Sequence, residues 1–495
     1  MKKAWLKWSL WIGAFLATLV VLYYAEENWQ GARVLTQLKR ELAARGELLD
    51  PKALVPPPIP DELNIAAAPI FAELYEKDPR DFLQTRLGSL HDFFRLRDGA
   101  HSPPLRVPEN PLTPIEAVAW QKWLTGRGDR ATAVADVLAE MEKYRPITEE
   151  ARAALERPAM RWPTNSMDDP FLQLRTYTAV ELTLGRFLVA RADFEIESGN
   201  GEAALQDVLF MFRLRETLRN GLLIDFLVSV TCQEWGYEAL AYGLGKRVWN
   251  AAQLRQLEGA LVSLEPLADF QAALRRDRLL SVRFYEMSLP DQVRWLESQT
   301  VFNGKPATPW QHRLLEASYG LPSRGEMKMN EADSLQSIQS MIDVIDGERG
   351  QLDLLRQKKT AAGREGGWWV RLRHPYRALL NPLMEGSLVK AARSQVKLVE
   401  AKTACALELY RVKNGGLPAT LDALVPAFLP QFPLDPLDGQ PLRYRVEGGG
   451  YLLYSIGWNG RDDGGFADSD RKGLQGDWVW PSRPDLYRVL PQTAP

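Results

Sequence analysis

Histidine and cysteine are scarce in this chain, four and two among 495 residues. His91, His101, His312 and His374 never stand in an H-E-x-x-H spacing, and neither Cys232 nor Cys405 has C-x-x-C company, so no zinc signature is present. A G-x-S-x-G elbow is also missing; Gly320-Leu321-Pro322-Ser323-Arg324-Gly325 carries an extra residue and a proline. Gly243-Leu244-Gly245-Lys246-Arg247 lacks the first glycine and the Ser/Thr of a phosphate loop and reads as a helix end. There is no excess of either charge: 61 Lys+Arg against 63 Asp+Glu leave −2, which argues against nucleic acid as a partner. Asp168-Asp169 and Glu149-Glu150 have the composition of a glycosidase pair, but adjacent acids with no companion feature read as solvated side chains. In an oxidising compartment the two cysteines can pair if their Cα atoms come close; otherwise they are buried thiols.

Apart from its beginning, the chain has no long uncharged apolar run. Trp8 to Tyr24 carries no charge, and Ala4 to Ala25 approaches the roughly 20 residues a helix needs to cross hydrocarbon. Trp5, Trp8 and Trp11 sit at one end and Tyr23 and Tyr24 at the other, as an interfacial belt would. Lys2, Lys3 and Lys7 precede the run and Glu26 and Glu27 follow it, which places the N-terminus in the cytoplasm and the rest outside. The rival reading is a cleaved signal peptide, but Tyr23-Tyr24-Ala25 puts a bulky residue where cleavage wants a small one. The expectation is a single-pass anchor in a bacterial inner membrane, with the body periplasmic. A polar amphipathic helix is expected from Asn28 to Arg45. Pro56, Pro57 and Pro58 then predict an extended spacer over 51–64.

From about Pro114 to Lys358 the pattern is mainly helical. Val180, Leu184, Phe187, Leu188 and Ala192 share one face, and Leu205, Val208, Leu209 and Phe212 another. Ser198-Gly199-Asn200-Gly201 between them predicts an αα-hairpin. Leu222 to Lys246 reads as a buried core helix, because its apolar run is short and contains Asp225. Residues 301–333 read as a loop, and Asp333 to Lys358 as a helix with Leu335, Ile338, Ile342 and Ile345 on one side. No fixed internal period is convincing. Trp368, Trp369, Arg371, Arg373 and Arg377 would suit a membrane surface, but the preferred reading is aromatic cover for a junction between two domains.

The C-terminal stretch is richer in signals. Ala392, Val396, Val399, Thr403, Ala406 and Tyr410 form a helical seam, ended by Asn414-Gly415-Gly416 and Pro418. Leu421 to Phe428 reads as a short helix, and Asp435-Pro436 and Asp438-Gly439 as turns. Leu442, Tyr444 and Val446 alternate, as do Tyr451, Leu453 and Ser455, which predicts a hairpin; Asp477 to Trp480 adds a last strand. Between strands lies NGRDDGGFADSD, residues 459–470, dense in the carboxylates and glycines that suit Ca²⁺ but without EF-hand order.

The order helix, Leu-Pro, Pro-x-Asp-Pro, Tyr-Ser-x-Gly, Asp-Asp-Gly-Gly resembles the globular domain of the major pseudopilins of type II secretion, over Gly386 to Trp480. That resemblance implies calcium in the acidic loop, with Asp462, Asp463, Asp468 and Asp470 as candidate ligands beside backbone carbonyls. One departure matters: no prepilin cleavage motif opens the apolar run, which begins Lys7-Trp8-Ser9-Leu10-Trp11. Incorporation into a pilus-like fibre is therefore not expected. The remainder looks like uncharacterised bacterial envelope proteins.

The expected fold is mainly α with a C-terminal α+β module: an anchor (1–27), a juxtamembrane helix and spacer (28–64), a helical body that is repeat-like or an irregular bundle (65–358), a linker (359–385), the module (386–482) and a tail (483–495). The expected function is a non-catalytic, membrane-anchored extracytoplasmic scaffold or binding protein, touching the membrane through its first helix and other envelope or secretion proteins through its body. The alternatives are an accessory of a type II secretion or pilus-like machine, and a periplasmic hydrolase with its site in the helical body.

Overall fold

The computed structural model of the protein describes residues 2–54, 57–76, 114–126, 128–161, 170–219, 221–288, 290–292, 324–364, 375–466 and 474–481. The histidines, Asp168-Asp169, Gly320 to Ser323, Trp368 to Arg373, Asp468 and Asp470 lie outside the described residues, as does the side chain of Arg377.

The first helix, α1 (Lys2–Ala44), is unbroken. The expected anchor and juxtamembrane helix are thus one rod, because no glycine pair or proline interrupts 2–44 and the helix ends only where Gly46 adopts φ +79°. Ile12, Phe15, Leu16, Leu19, Val20 and Leu22 along its first half are all exposed, whereas Leu35 and Leu42 in its second half are buried. Among the described residues, no helix is long and apolar enough to cross a membrane.

The proline segment is not a free spacer. It folds into short 3-10 turns at Pro51–Leu54 and Asp61–Leu63, and it is docked at both ends. The Leu54 carbonyl accepts from Arg276, and Asn64 bridges to Ala159. The helical body follows with α2 (Pro69–Glu76), α3 (Pro114–Thr125), α4 (Ala133–Met141), α5 (Arg145–Ala154), α6 (Pro170–Ser198), α7 (Gly201–Arg213), α8 (Leu223–Lys246), α9 (Ala251–Val262), α10 (Pro266–Glu286) and α11 (Arg324–Ile342).

The hairpin α6–α7 forms where the sequence predicts it. Gly199 takes φ +80°, and the Asn200 side chain caps α7 through the Ala203 N–H. Both predicted faces are buried: Leu184, Phe187 and Leu188 on α6 and Leu205 and Val208 on α7 are fully enclosed. Each such side chain contributes about 1.5–3 kcal/mol. α8 is the buried helix expected, and Arg247, left-handed at φ +57°, ends it where the phosphate-loop look-alike stands.

Two expectations fail between 301 and 358. α11 begins at Arg324, inside the stretch read as loop. The helix expected to continue to Lys358 instead stops at Ile342, and β1 (Ile345–Asp346) and β2 (Gln351–Leu352) make a small antiparallel hairpin before α12 (Leu354–Arg364). Gly350 forces the turn with φ +62°, and a Cβ there would collide with Gln395. Ile345 does join the core of Ile338 and Ile342, but as a strand residue.

α13 (Pro375–Asn414) begins within the expected linker. The predicted seam is buried or half-buried throughout, and so are Leu388, Leu398, Ala401, Ala404 and Leu407 between its positions. α13 is therefore covered on more than one side. One core joins its residues to α6–α9 and to Leu453 and Trp480 of the sheet; a second joins them to α10, α11 and Trp478. The C-terminal sheet is antiparallel, in the order β3 (Arg443–Glu447), β4 (Gly450–Ser455), β5 (Trp478–Trp480), with Tyr444 opposite Leu453 and Tyr454 opposite Val479. The helix expected over 421–428 is a single 3-10 turn, Leu421–Leu424.

Candidate functional site

The polar chemistry of the C-terminal module is organised around Asp435. Proline on either side of the Leu434-Asp435 pair removes two backbone donors from the turn. Asp435 is wholly buried and collects one donor from its own turn, the Leu437 N–H at 3.0 Å, and three from farther along the chain: the Ile456 N–H at 3.0 Å, the Ser455 hydroxyl at 2.9 Å and Arg443 at 3.0 Å. Arg443 also donates to Asp438 at 2.6 Å. Burial pushes the Asp435 carboxyl up, against the opposing pull of those N–H donors. The sequence marks Asp435 as a turn residue; its role as the knot between turn, β3 and β4 has no local signal.

The acidic loop between β4 and β5 is shaped by the same device. Gly457, Gly460, Gly464 and Gly465 all have positive φ. Asp462 accepts from Gly464 N–H and from the Tyr454 hydroxyl, both at 3.0 Å, and the Gly464 bond leads in holding its carboxyl below the usual range. Asp463 accepts from Asn459 at 2.7 Å. The residue that holds the loop was not among the candidates: Asp477, 2% exposed, accepts from the N–H groups of Asp463 and Gly465. Burial raises its carboxyl, and the charges of Asp462 and Asp463 add to the rise. The structure thus brings Asp462 and Asp463 together, whereas Asp468 and Asp470 lie outside the described residues. Among the described residues, no group of three or more His, Cys, Asp or Glu is disposed to hold a metal ion.

Beside this module, the β1–β2 hairpin and the start of α12 enclose an open cleft of about 590 Å³, floored by Ile345, Leu352, Leu354, Leu437 and Ile456. Its four acids are already engaged: Asp343 with Arg45, Asp346 with Arg349, Asp438 with Arg443, and Asp353 with the Arg356 N–H at the start of α12.

The helical body buries carboxyls of another kind. Glu181 on α6 is fully enclosed, and neither of its oxygens has a hydrogen bond among the described residues. Burial raises it to about 8; Thr217 nearby offsets part of that, and the charge of Asp225 adds to it. Asp225 and Asp277 accept the N–H groups of Leu222 and Leu223 at the start of α8, and burial raises each to about 7. Glu400 on α13 is 1% exposed with one oxygen unpartnered, and burial pushes it well up. Both cysteines are free and buried, and burial pushes both thiols up, so neither is an activated nucleophile. Apart from Asp225, which the sequence already places in a core helix, none of these acids stood out in the sequence, where a carboxylate on a helix is ordinarily a solvated one.

No protein-family model, no curated protein and no solved structure matches this chain.

Proposed function

We propose that the protein is a non-catalytic extracytoplasmic scaffold, held in a bacterial inner membrane by the first half of α1 and carrying a pseudopilin-like module at its C-terminal end. One observation carries this reading. A single helix shows an apolar surface to the outside over Trp11 to Tyr24 and then, without a break, packs Leu35 and Leu42 into the body. An apolar belt of that length on the outside of a protein is unfavourable in water and favourable in hydrocarbon. The chain order of helix, antiparallel hairpin and acidic loop supports the pseudopilin-like reading of the module. The calcium implied by that resemblance is part of the proposal and has its own test below. The scaffold role is favoured over hydrolysis because the buried acids lie in packed interiors, while the acids around the open cleft are held by arginines or, for Asp353, by a backbone N–H at the start of α12.

The test is extraction. The full-length chain should stay with membranes through alkaline carbonate and leave only with detergent, and a chain lacking residues 2–25 should be released. A full-length chain freed by carbonate would remove the anchor from the reading.

A further inference from the structure

We propose that the end of the body formed by the last turn of α10 and the first turn of α11 is seated on the bilayer surface, so that α1 holds the body upright on the membrane instead of tethering it. This rests on the anchored reading above and adds the face that meets the lipid.

The register of three helices fixes that face. A Cβ on Gly325 would strike the Glu27 carbonyl, and a Cβ on Gly31 would strike the Gly325 carbonyl, so two glycines bring the backbones of α1 and α11 into direct contact. Further along, Lys39 pairs with Glu331 at 2.7 Å and Arg45 pairs with Asp343. The two helices therefore run parallel, away from the apolar half of α1. α10 runs the other way: Gln271 donates to the Ile342 carbonyl, Arg278 to Gln339, and the hydroxyls of Ser281 and Ser334 are 3.2 Å apart. The start of α11 and the end of α10 consequently lie at the same level, the one nearest the apolar run.

That level can be placed. The uncharged run ends at Ala25, and the Gly31–Gly325 crossing spans Glu27 to Gly31. At about 1.5 Å of rise per residue, the crossing lies roughly 3–9 Å beyond the end of the run. The headgroup layer on each side of the hydrocarbon is about 5–8 Å thick. The first turn of α11 therefore falls within it or at its outer edge. The side chains suit that zone. Trp29 is 60% exposed with the Arg33 guanidinium over its ring, an amphipathic pairing favoured at interfaces. Arg324 and Lys328 are exposed at the start of α11, and Glu26 is exposed where the apolar run of α1 ends, so both signs of charge are on offer at this level, as zwitterionic headgroups want. The attachment is stiff, since Leu35, Leu42, Val282, Ala332 and Leu335 form one cluster, and Glu47, just past α1, pairs with Arg278 at 2.6 Å.

The experiment uses the full-length chain in phosphatidylcholine/phosphatidylglycerol vesicles that carry a headgroup-attached nitroxide quencher. A fluorophore is placed on Lys328→Cys or, for comparison, on Val262→Cys. Both sites are exposed, and Cys232 and Cys405 are buried. Val262 precedes the far end of α10, about 30 Å away along that helix. The expected result is quenching several-fold stronger at 328 than at 262. Equal, weak quenching at both sites in protein that still floats with the vesicles would overturn the seating and leave the anchor standing. Protein that does not float would overturn the anchor and the seating with it.

Discussion

Asp435 and Glu181 are both wholly buried carboxyls, one in the C-terminal module and one in the helical body, and their surroundings differ in kind. Four donors from three places in the chain converge on Asp435. Glu181 has no hydrogen-bonded oxygen among the described residues. A buried charge persists only if donors replace its lost water; otherwise the group gives up the charge by keeping its proton. The module uses carboxylates as knots, since Asp477 gathers N–H groups in the acidic loop as Asp435 does in the turn. In the body, Glu181, Asp225 and Asp277 are pushed toward neutrality. Small strands and proline-rich turns leave N–H groups without ladder partners, and a carboxylate can collect them. The inside of a helical bundle has few free N–H groups except at helix starts, and it is the start of α8 that Asp225, from its own first turn, and Asp277, from the middle of α10, both meet.

The largest effect expected from this contrast is at Asp435. Asp435→Ala would leave the Leu437 and Ile456 N–H groups and the Ser455 hydroxyl without their acceptor and would cost Arg443 one of its three carboxylates. A loss of about 3–5 kcal/mol is expected in chemical denaturation followed at the module. Asp435→Asn keeps one acceptor oxygen and should fall between the two. If Asp435→Ala melts like the parent, the knot is not what holds the turn.

Glu181 should respond in the opposite direction and in a pH-dependent way. Its ordinary value is 4.5 and its folded value about 8. A raised folded value means that the stability contributed by the protonated form is whole below about pH 4.5 and is lost as pH rises through about 8. Glu181→Gln cannot ionise, so its stability should be close to the parent's at pH 5 and should exceed it by up to a few kcal/mol at pH 8.5. Parallel stability curves for the two chains across pH 5–8.5 would show that Glu181 has donors after all and would erase the contrast with Asp435.

What the sequence made legible follows the range of the interactions. The α6–α7 hairpin is readable because its signals, an apolar face on each side and Gly199-Asn200 between, lie within a few turns of helix. The β3–β4 hairpin is readable because alternation and Gly448-Gly449 are adjacent. The helix expected over 333–358 misled because Ile345 continues the helical spacing of Leu335, Ile338 and Ile342 by coincidence, and two-residue strands are too short to show a period of two. The junction of α1 with α11 left no trace, since Gly31 and Gly325 lie far apart in the chain, Gly31 reads alone as an ordinary helical glycine, and Gly325 falls in the stretch read as loop. Asp435, Asp477 and Glu181 were missed for the same reason: what distinguishes a knot from a neutral buried acid is where distant N–H groups come to lie.

The smallest effect expected is that of calcium, and it sharpens the comparison at its weakest point, the solvated end of the module. Asp462, Asp463 and Asp477 already accept hydrogen bonds from the protein, so a cation would relieve their mutual repulsion instead of supplying a missing scaffold. In detergent, the full-length chain with millimolar Ca²⁺ should show slower amide exchange at Gly464 and Gly465, and a module transition a few degrees higher, than the same chain with chelator. Asp463→Ala combined with Asp468→Ala should remove that difference. Exchange that is the same with Ca²⁺ and with chelator would take the metal out of the proposal. The loop would then stand on the N–H groups gathered by Asp477, the same device by which Asp435 holds the turn.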